Sequence, residues 1–368
     1  MSSSKFTVAV VFGGRSSEHS ISCISAASVL SAIDREAFEV VAVGITRTGQ
    51  WFIHSGNPDS LRVAEGNLPE IAAEGRQVLL STDPNIRGFI AVDGLPLPEA
   101  FTSVDVVFPV LHGPFGEDGT IQGALEFAGL PCVGSGVFAS AAAMDKAHMK
   151  AMLTSHAIPV GPYVVVTDRE WNSSAEQCID RIAKLNFPVF VKPARAGSSI
   201  GITKVSTRAE VAAAVEVARQ HDPKVIVEAG FEGMREIECG VLVDPQGIPQ
   251  TSVPAEIIVH GHDFYDFEAK YLEDSAELKV PAQLDEATVQ KVKSLAIDAF
   301  NALDCEGFAR CDFFVMPDGS VIINEVNTLP GFTPISMFPR MWQVTGMSYP
   351  AIVDALLRDG LRRGSGLR

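Results

Sequence analysis

Six cysteines, Cys23, Cys132, Cys178, Cys239, Cys305 and Cys311, are scattered through 368 residues without one Cys-x-x-Cys pair. That scatter points to buried, reduced thiols rather than a redox or metal-binding motif. Positive charge is scarce: 29 Lys and Arg stand against 45 Asp and Glu, a formal net charge of −16. A field of that sign repels nucleic acid and anionic membrane surfaces, so neither is expected as a partner. It still permits a polyanionic small ligand wherever a few cations gather. No apolar run approaches the length that crosses a bilayer. The first residues pass directly into Phe6-Thr7-Val8-Ala9-Val10-Val11-Phe12, too short for a secretory core and read as a first strand. A reducing cytoplasm is the expected compartment. Neither Gly13-Gly14 nor Gly113–Gly119 matches the dinucleotide fingerprint, which disfavours a nicotinamide cofactor. Residues 195–201 are not a Walker A loop, and no Gly-x-Ser-x-Gly elbow surrounds Ser198.

What is present is a chain long enough for two or three compact units, 46% hydrophobic, in which strands and helices alternate at first. The strand at 6–12 breaks at Gly13-Gly14 and leads to a helix over Glu18–Leu30. Strands follow at Val40–Ile45 and Val104–Val110. This alternation predicts an α/β first unit on a parallel sheet, with a small antiparallel insertion between Ser55 and Pro98. A helix from about Ala139 to His156 leads to a second unit, where strands at 187–193 and 202–205 flank a Gly/Ser loop as a hairpin. Strands at 224–228 and 236–243 come next. A polar loop at 260–277, a helix over Glu286–Leu303 and a strand pair at 308–327 complete the pattern. The expected division is 1–140, 141–250 and 251–368, with α+β character in the last two.

The strand pair carries the clearest chemistry. Taking Asp318-Gly319 as a two-residue hairpin turn sets Asp312 opposite Glu325 and Arg310 opposite Asn327. The two-residue period then puts all four on one face, with Cys311, Phe313, Val315, Ile322 and Val326 on the other. Carboxylates placed directly across two strands repel. A hard divalent cation such as Mg²⁺, shared with substrate phosphates, removes that cost. Two carboxylates pointing to water are the other reading, which Arg310 and Asn327 on the same face weaken.

Residues 195–201 can cradle phosphate through backbone N–H groups and serine hydroxyls, or form an ordinary surface hairpin. Lys192 ends a buried strand and needs an anion or an exit to solvent. Lys146 is read either as a phosphate ligand or as a solvated helix residue. Glu18 and His112 stand at strand ends, where open α/β sheets bind ligands. They are alternatively a helix-start carboxylate and a polar loop histidine.

Gly-Gly-Arg-Ser-Ser-Glu-His-Ser at 13–20 and His-Gly-Pro-Phe-Gly-Glu-Asp-Gly-Thr-Ile-Gln-Gly at 112–123 resemble two signatures of the D-alanine–D-alanine ligases. The likeness continues in family order through Lys-Pro-Ala-Arg-Ala-Gly-Ser-Ser-Ile-Gly at 192–201, Phe-Tyr-Asp-Phe-Glu-Ala-Lys-Tyr at 264–271 and Asn-Glu-Val-Asn-Thr-Leu-Pro-Gly-Phe-Thr at 324–333. It runs over nearly the whole chain and implies the three-domain ATP-grasp fold. It also implies ATP, two Mg²⁺ or Mn²⁺ ions, two D-alanines, a cytoplasmic homodimer and a part in peptidoglycan synthesis. By motif position, Glu18 resembles the residue that orients the first D-alanine, in a triad with Ser198 and Tyr271, and His112 lies beside it. Lys146 and Lys192 resemble the phosphate-binding lysines, and Glu228 the adenine-side residue. Glu236 resembles the ribose ligand, although the spacing from Glu228 is one residue longer than usual and Glu238 competes. Asp312, Glu325 and Asn327 resemble the metal ligands, while Arg310 and the Gly331 N–H resemble the groups that stabilise the tetrahedral intermediate. Lys270, Ser336 and Met337 resemble contacts to the second D-alanine. Ala196 departs from a frequent glutamate, with no catalytic demand attached. The rival expectations are a ligase that takes D-lactate or D-serine second, and a catalytically silent ATP-binding regulator.

Overall fold

Three sheets, of six, four and six strands among the described residues, organise the chain. The structure is a computed structural model that describes residues 5–63, 67–83, 85–197, 199–259 and 276–366. In the first sheet Phe6–Gly13 lies between Phe38–Ile45 and Val106–Val110, parallel to both. Its residues from Thr7 onward are all buried, as continuous apolar runs demand when both faces of a sheet are covered. Trp51–His54, Gln77–Leu80 and Phe89–Ala91 extend the sheet antiparallel; the last two fall in the insertion expected between Ser55 and Pro98, and the first precedes it. Gly13 and Gly14 then turn the chain at φ +89° and +93°. A Cβ on Gly13 would stand 2.3 Å from the Ile45 carbonyl oxygen, so only glycine fits where strand becomes helix. The helix His19–Ala32 follows, with Glu18 at its N-cap.

The helix expected over Ala139–His156 is two, Val137–Met144 and Lys146–Ser155. Asp145 separates them in extended conformation, and its carboxylate accepts the N–H groups of Ala147 at 3.1 Å and His148 at 3.2 Å. An aspartate that caps a new helix competes with continuing the old one. The second sheet is antiparallel, ordered Tyr163–Val166, Val225–Ala229, Val189–Pro193, Thr203–Val205, and includes the expected hairpin.

The chain changes sheet between Ala229 and Arg235. The strand Arg235–Val243, inside the segment 141–250, pairs with Phe308–Val315 and Ala255–Val259 of the third sheet. Glu286–Ala302 buries Val292, Ala296 and Phe300 in the core beneath that sheet. The last helix, Tyr349–Arg363, returns to the first sheet. There Arg363 donates to the Cys132 and Gly134 carbonyls at 3.0 Å each. Phe108, Phe308, Phe332, Phe338 and Tyr349 form one aromatic cluster joining the two sheets. No disulfide joins any of the six cysteines, and all but the half-buried Cys132 are buried. No helix among the described residues is long and apolar enough to cross a membrane.

Candidate active site

The 308–327 hairpin reaches the expected pairing by a different route. Its loop is Pro317-Asp318-Gly319, three residues rather than two, closed by Met316 N–H on the Ser320 carbonyl at 2.8 Å. Near the turn Val315 therefore faces Val321 and Phe313 faces Ile323. A bulge between Asp312 and Phe313 then admits Asn324 as an extra residue. Beyond it Asp312 lies opposite Glu325 and Arg310 opposite Asn327. Without the bulge the three-residue loop would turn Glu325 and Asn327 toward the core. The same offset corrects one position: Ile322 lines the cavity, while Val321 and Ile323 are buried.

Arg310 grips Asp312 with Nε and Nη2, both at 2.7 Å. Its Nε lies 3.3 Å from Glu238. Burial opposes the guanidinium charge, but Asp312 and Glu238 hold its pKa well above the usual value. Asn327 donates at 3.0 Å to Asp312 Oδ2, the oxygen that also accepts from Arg310 Nη2. Lys146, the first residue of its helix, places Nζ 3.3 Å from Glu325 and donates to the Ala196 carbonyl at 3.0 Å. Burial works against the Lys146 ammonium, yet Glu325 and Glu228 outweigh it and raise its pKa. On the central sheet Glu228 is buried between Lys192 and Lys150, the latter at 2.9 Å. Burial pushes the Glu228 carboxyl up, but the two lysines bring it down to about 2. Glu236 lines the same cavity two residues from Glu238, which sits opposite Asp312.

Glu18 and His112 close the side formed by the first sheet. The Glu18 carboxylate lies so close to the loop after Val106–Val110 that a Cβ on Gly113 would stand 2.5 Å from it. His112 Nδ1 faces the Leu329 carbonyl at 3.2 Å and Nε2 the Ser25 hydroxyl at 2.9 Å. A carbonyl only accepts, so Nδ1 carries the proton and Nε2 accepts from Ser25. Burial lowers the His112 pKa against the pull of Glu18, which keeps the ring neutral. Gly331, Ser336 and Met337 line the cavity beside the third sheet, with Ser336 Oγ 2.8 Å from Thr333 Oγ1. Ser198, Lys270 and Tyr271 lie outside the described residues.

One cavity of about 700 Å³ thus collects Glu18, His112, Lys146, Lys192, Glu228, Glu236, Arg310, Asp312, Glu325, Asn327, Gly331, Ser336 and Met337. Phe190, Phe231, Met234 and Ile322 make one wall apolar. Two further members, Lys150 and Glu117, were not singled out from the sequence. Lys150 follows Lys146 by four residues and so shares its helix face. Glu117 belongs to the 112–123 motif, and its carboxylate accepts the Gly113 N–H at 2.6 Å. Facing carboxylates with an adjacent amide oxygen suit a hard cation, and buried lysines beside an apolar wall suit a nucleotide. To ligate a cation Asn327 would present its oxygen, turned over from the arrangement that donates to Asp312.

Family models agree with that chemistry. Residues 7–135 match "D-ala D-ala ligase N-terminus" and residues 152–358 match "D-ala D-ala ligase C-terminus". The chain belongs to the D-alanine–D-alanine ligase family. A D-alanine–D-alanine ligase of Mycobacterium sp. (strain JLS) is 53% identical over 368 residues, covering 98% of each chain. One of Streptomyces griseus subsp. griseus is 51% identical, covering 98% of this chain and 94% of its own. Among solved structures, VanG D-Ala:D-Ser ligase from Enterococcus faecalis has a TM-score of 0.84 at 35% identity, over 97% of this chain and all 100% of its own. The D-alanine–D-alanine ligase from Coxiella burnetii has a TM-score of 0.81 at 31% identity, over 98% and 95%. The ATP-grasp fold of this ligase family accounts for the two antiparallel sheets that face each other across the cavity.

Proposed function

We propose that the cavity between the three sheets is where two D-alanines are joined at the expense of ATP. The activity is that of the family, ATP-dependent ligation of two D-alanines to D-alanyl-D-alanine, with release of ADP and phosphate. Such a dipeptide serves peptidoglycan precursor synthesis, and the setting we infer is a cytoplasmic homodimer.

The adenine ring fits the apolar wall beside Glu228, with Glu236 on the ribose. Glu238, opposite Asp312 and 3.3 Å from Arg310, is the competing candidate for the sugar. Lys146 and Lys192 balance the phosphates. Asp312, Glu325 and Asn327 would hold magnesium or manganese, which when bound offsets charge on the carboxylates and phosphates alike. Glu18 takes the ammonium of the first D-alanine beside neutral His112, in a triad with Ser198 and Tyr271. The first carboxylate attacks the γ-phosphorus and yields D-alanyl phosphate and ADP. The second amine, placed by Lys270, Ser336 and Met337, attacks the acyl carbon, and phosphate leaves. Arg310 and the Gly331 N–H act where negative charge develops on the tetrahedral oxygen.

The observation that carries this reading is the pairing of Asp312 with Glu325 in one cavity with Lys146, Glu18 and His112. The likeness to a D-Ala:D-Ser ligase gives D-serine as the second reading for the second substrate. ADP release with D-alanine, L-alanine, D-serine or D-lactate, with product masses, decides between them. D-alanine alone should release ADP and yield the dipeptide. No release would overturn the reading, and a predominant mixed D-alanyl-D-serine product would replace it with the second.

A further inference from the structure

Lys150 is a lysine with 2% of its surface exposed, deep in a molecule of negative charge. Its ammonium spans two elements of the cavity. It lies 2.9 Å from Glu228 Oε1 on the second sheet and donates at 3.0 Å to the Asn324 carbonyl on the third. Asn324 is the extra residue of the bulge, and Glu325 follows it directly. A bulge takes its residue out of the regular ladder, so a buried carbonyl there needs another donor. Two neighbours fix the same stretch: Pro159 accepts the Ile323 N–H at 2.9 Å, and Met149 Sδ accepts the Val326 N–H at 3.3 Å.

We propose that Lys150 is a positioning residue that sets both ends of the nucleotide site from one ammonium, Glu228 directly and Glu325 through the bulge carbonyl. Burying an ammonium is costly unless every partner is in place. That cost makes Lys150 sensitive to displacement of either partner. Lys146, one turn earlier, reaches Glu325 from its side chain, so the helix Lys146–Ser155 controls that carboxylate from both sides.

The proposal rests on the reading of the cavity as an ATP and metal site. It is tested with Lys150→Met, which keeps the length and loses the charge, against the parent protein. ADP binding is measured by calorimetry without magnesium and then across a magnesium titration, and steady-state ligation is measured alongside. Loss of two charge-assisted contacts should weaken metal-free ADP binding and raise the magnesium midpoint, each by about tenfold. The KM for D-alanine should stay within about twofold. In a Glu228→Gln background the effect on metal-free ADP should largely vanish, while the magnesium shift persists. A folded Lys150→Met protein with parental ADP affinity and magnesium midpoint overturns the proposal. So does an equal loss of kcat with every substrate and both binding readouts unchanged. If Lys150→Met does not fold, Lys150→Gln, which retains a donor, supplies the same comparisons. A parent protein that binds no ADP would instead remove the underlying ATP reading.

Discussion

Glu117 shows how a carboxyl can be held neutral beside another. Burial and the charge of Glu18 push it from 4.5 up to about 8, against the opposing Gly113 N–H bond. A group with a raised folded pKa binds its proton more tightly folded than unfolded. Its stabilising effect is complete below the unfolded value and lost as pH climbs to the folded one. Between pH 4.5 and about 8 the metal-free protein should therefore lose stability through this residue. Glu117→Gln keeps an oxygen for the Gly113 N–H and cannot ionise. It should match the parent near pH 4.5 and exceed it near pH 8.5, by on the order of a few kcal/mol. Denaturant melts of both proteins in chelator at the two pH values measure the difference. Parallel profiles would show that Glu117 ionises freely and that the neighbouring carboxylates do not repel it.

Among the elements, those whose signals are local were legible in the sequence. Apolar runs between glycine turns located the first parallel strands, and the acidic hairpin was visible because Asp312, Glu325 and Asn327 lie within one short segment. Finer geometry depended on partners far along the chain. Asp145 splits a helix that periodicity alone runs together, because it also binds Lys224, 79 residues away. Lys150 meets the Asn324 carbonyl across 174 residues, and locally only its four-residue spacing from Lys146 marks it. The hairpin register came out right at the site because the longer loop and the bulge offset each other. Glycines separate the structural part of this element from the functional part. At Gly319, φ is +79° and a Cβ meets nothing within 4 Å. Gly319→Ala should then cost about 1 kcal/mol of backbone strain and leave activity unchanged. Gly113→Ala has φ +75° and also forces a Cβ toward the Glu18 carboxylate, so it should lose both stability and turnover. Thermal melts and ADP release on the two variants test the contrast. Equal loss of activity in both would mean that the hairpin loop, and not only the strand pair, reaches the site.

At the scale of the molecule, the cavity lies where three sheets meet in a chain of net charge −16. Asp312, Glu325 and Glu238 share that cavity with Arg310 and Lys146 and add to its negative field. A ligand that binds only the folded chain stabilises all three units together. At one hundred times its dissociation constant that linkage is worth about 2.7 kcal/mol. ADP alone brings further negative charge to Asp312 and Glu325, whereas ADP with magnesium neutralises it. The melting temperature of the parent should therefore rise modestly with ADP and much further when magnesium is added. Asp312→Asn and Glu325→Gln preserve shape and remove one metal-facing charge each. Without ligand they should melt somewhat below the parent, because relief of the repulsion across the strands offsets only part of the pairing lost with Arg310 or Lys146. With ADP alone they should gain as much as the parent or more. The extra gain from magnesium should shrink in both, and ligation should fall far more than stability does. Parental activity with parental magnesium dependence in the two variants would sink the metal assignment. It would leave the facing pair as carboxylates balanced by Arg310 and Lys146 alone.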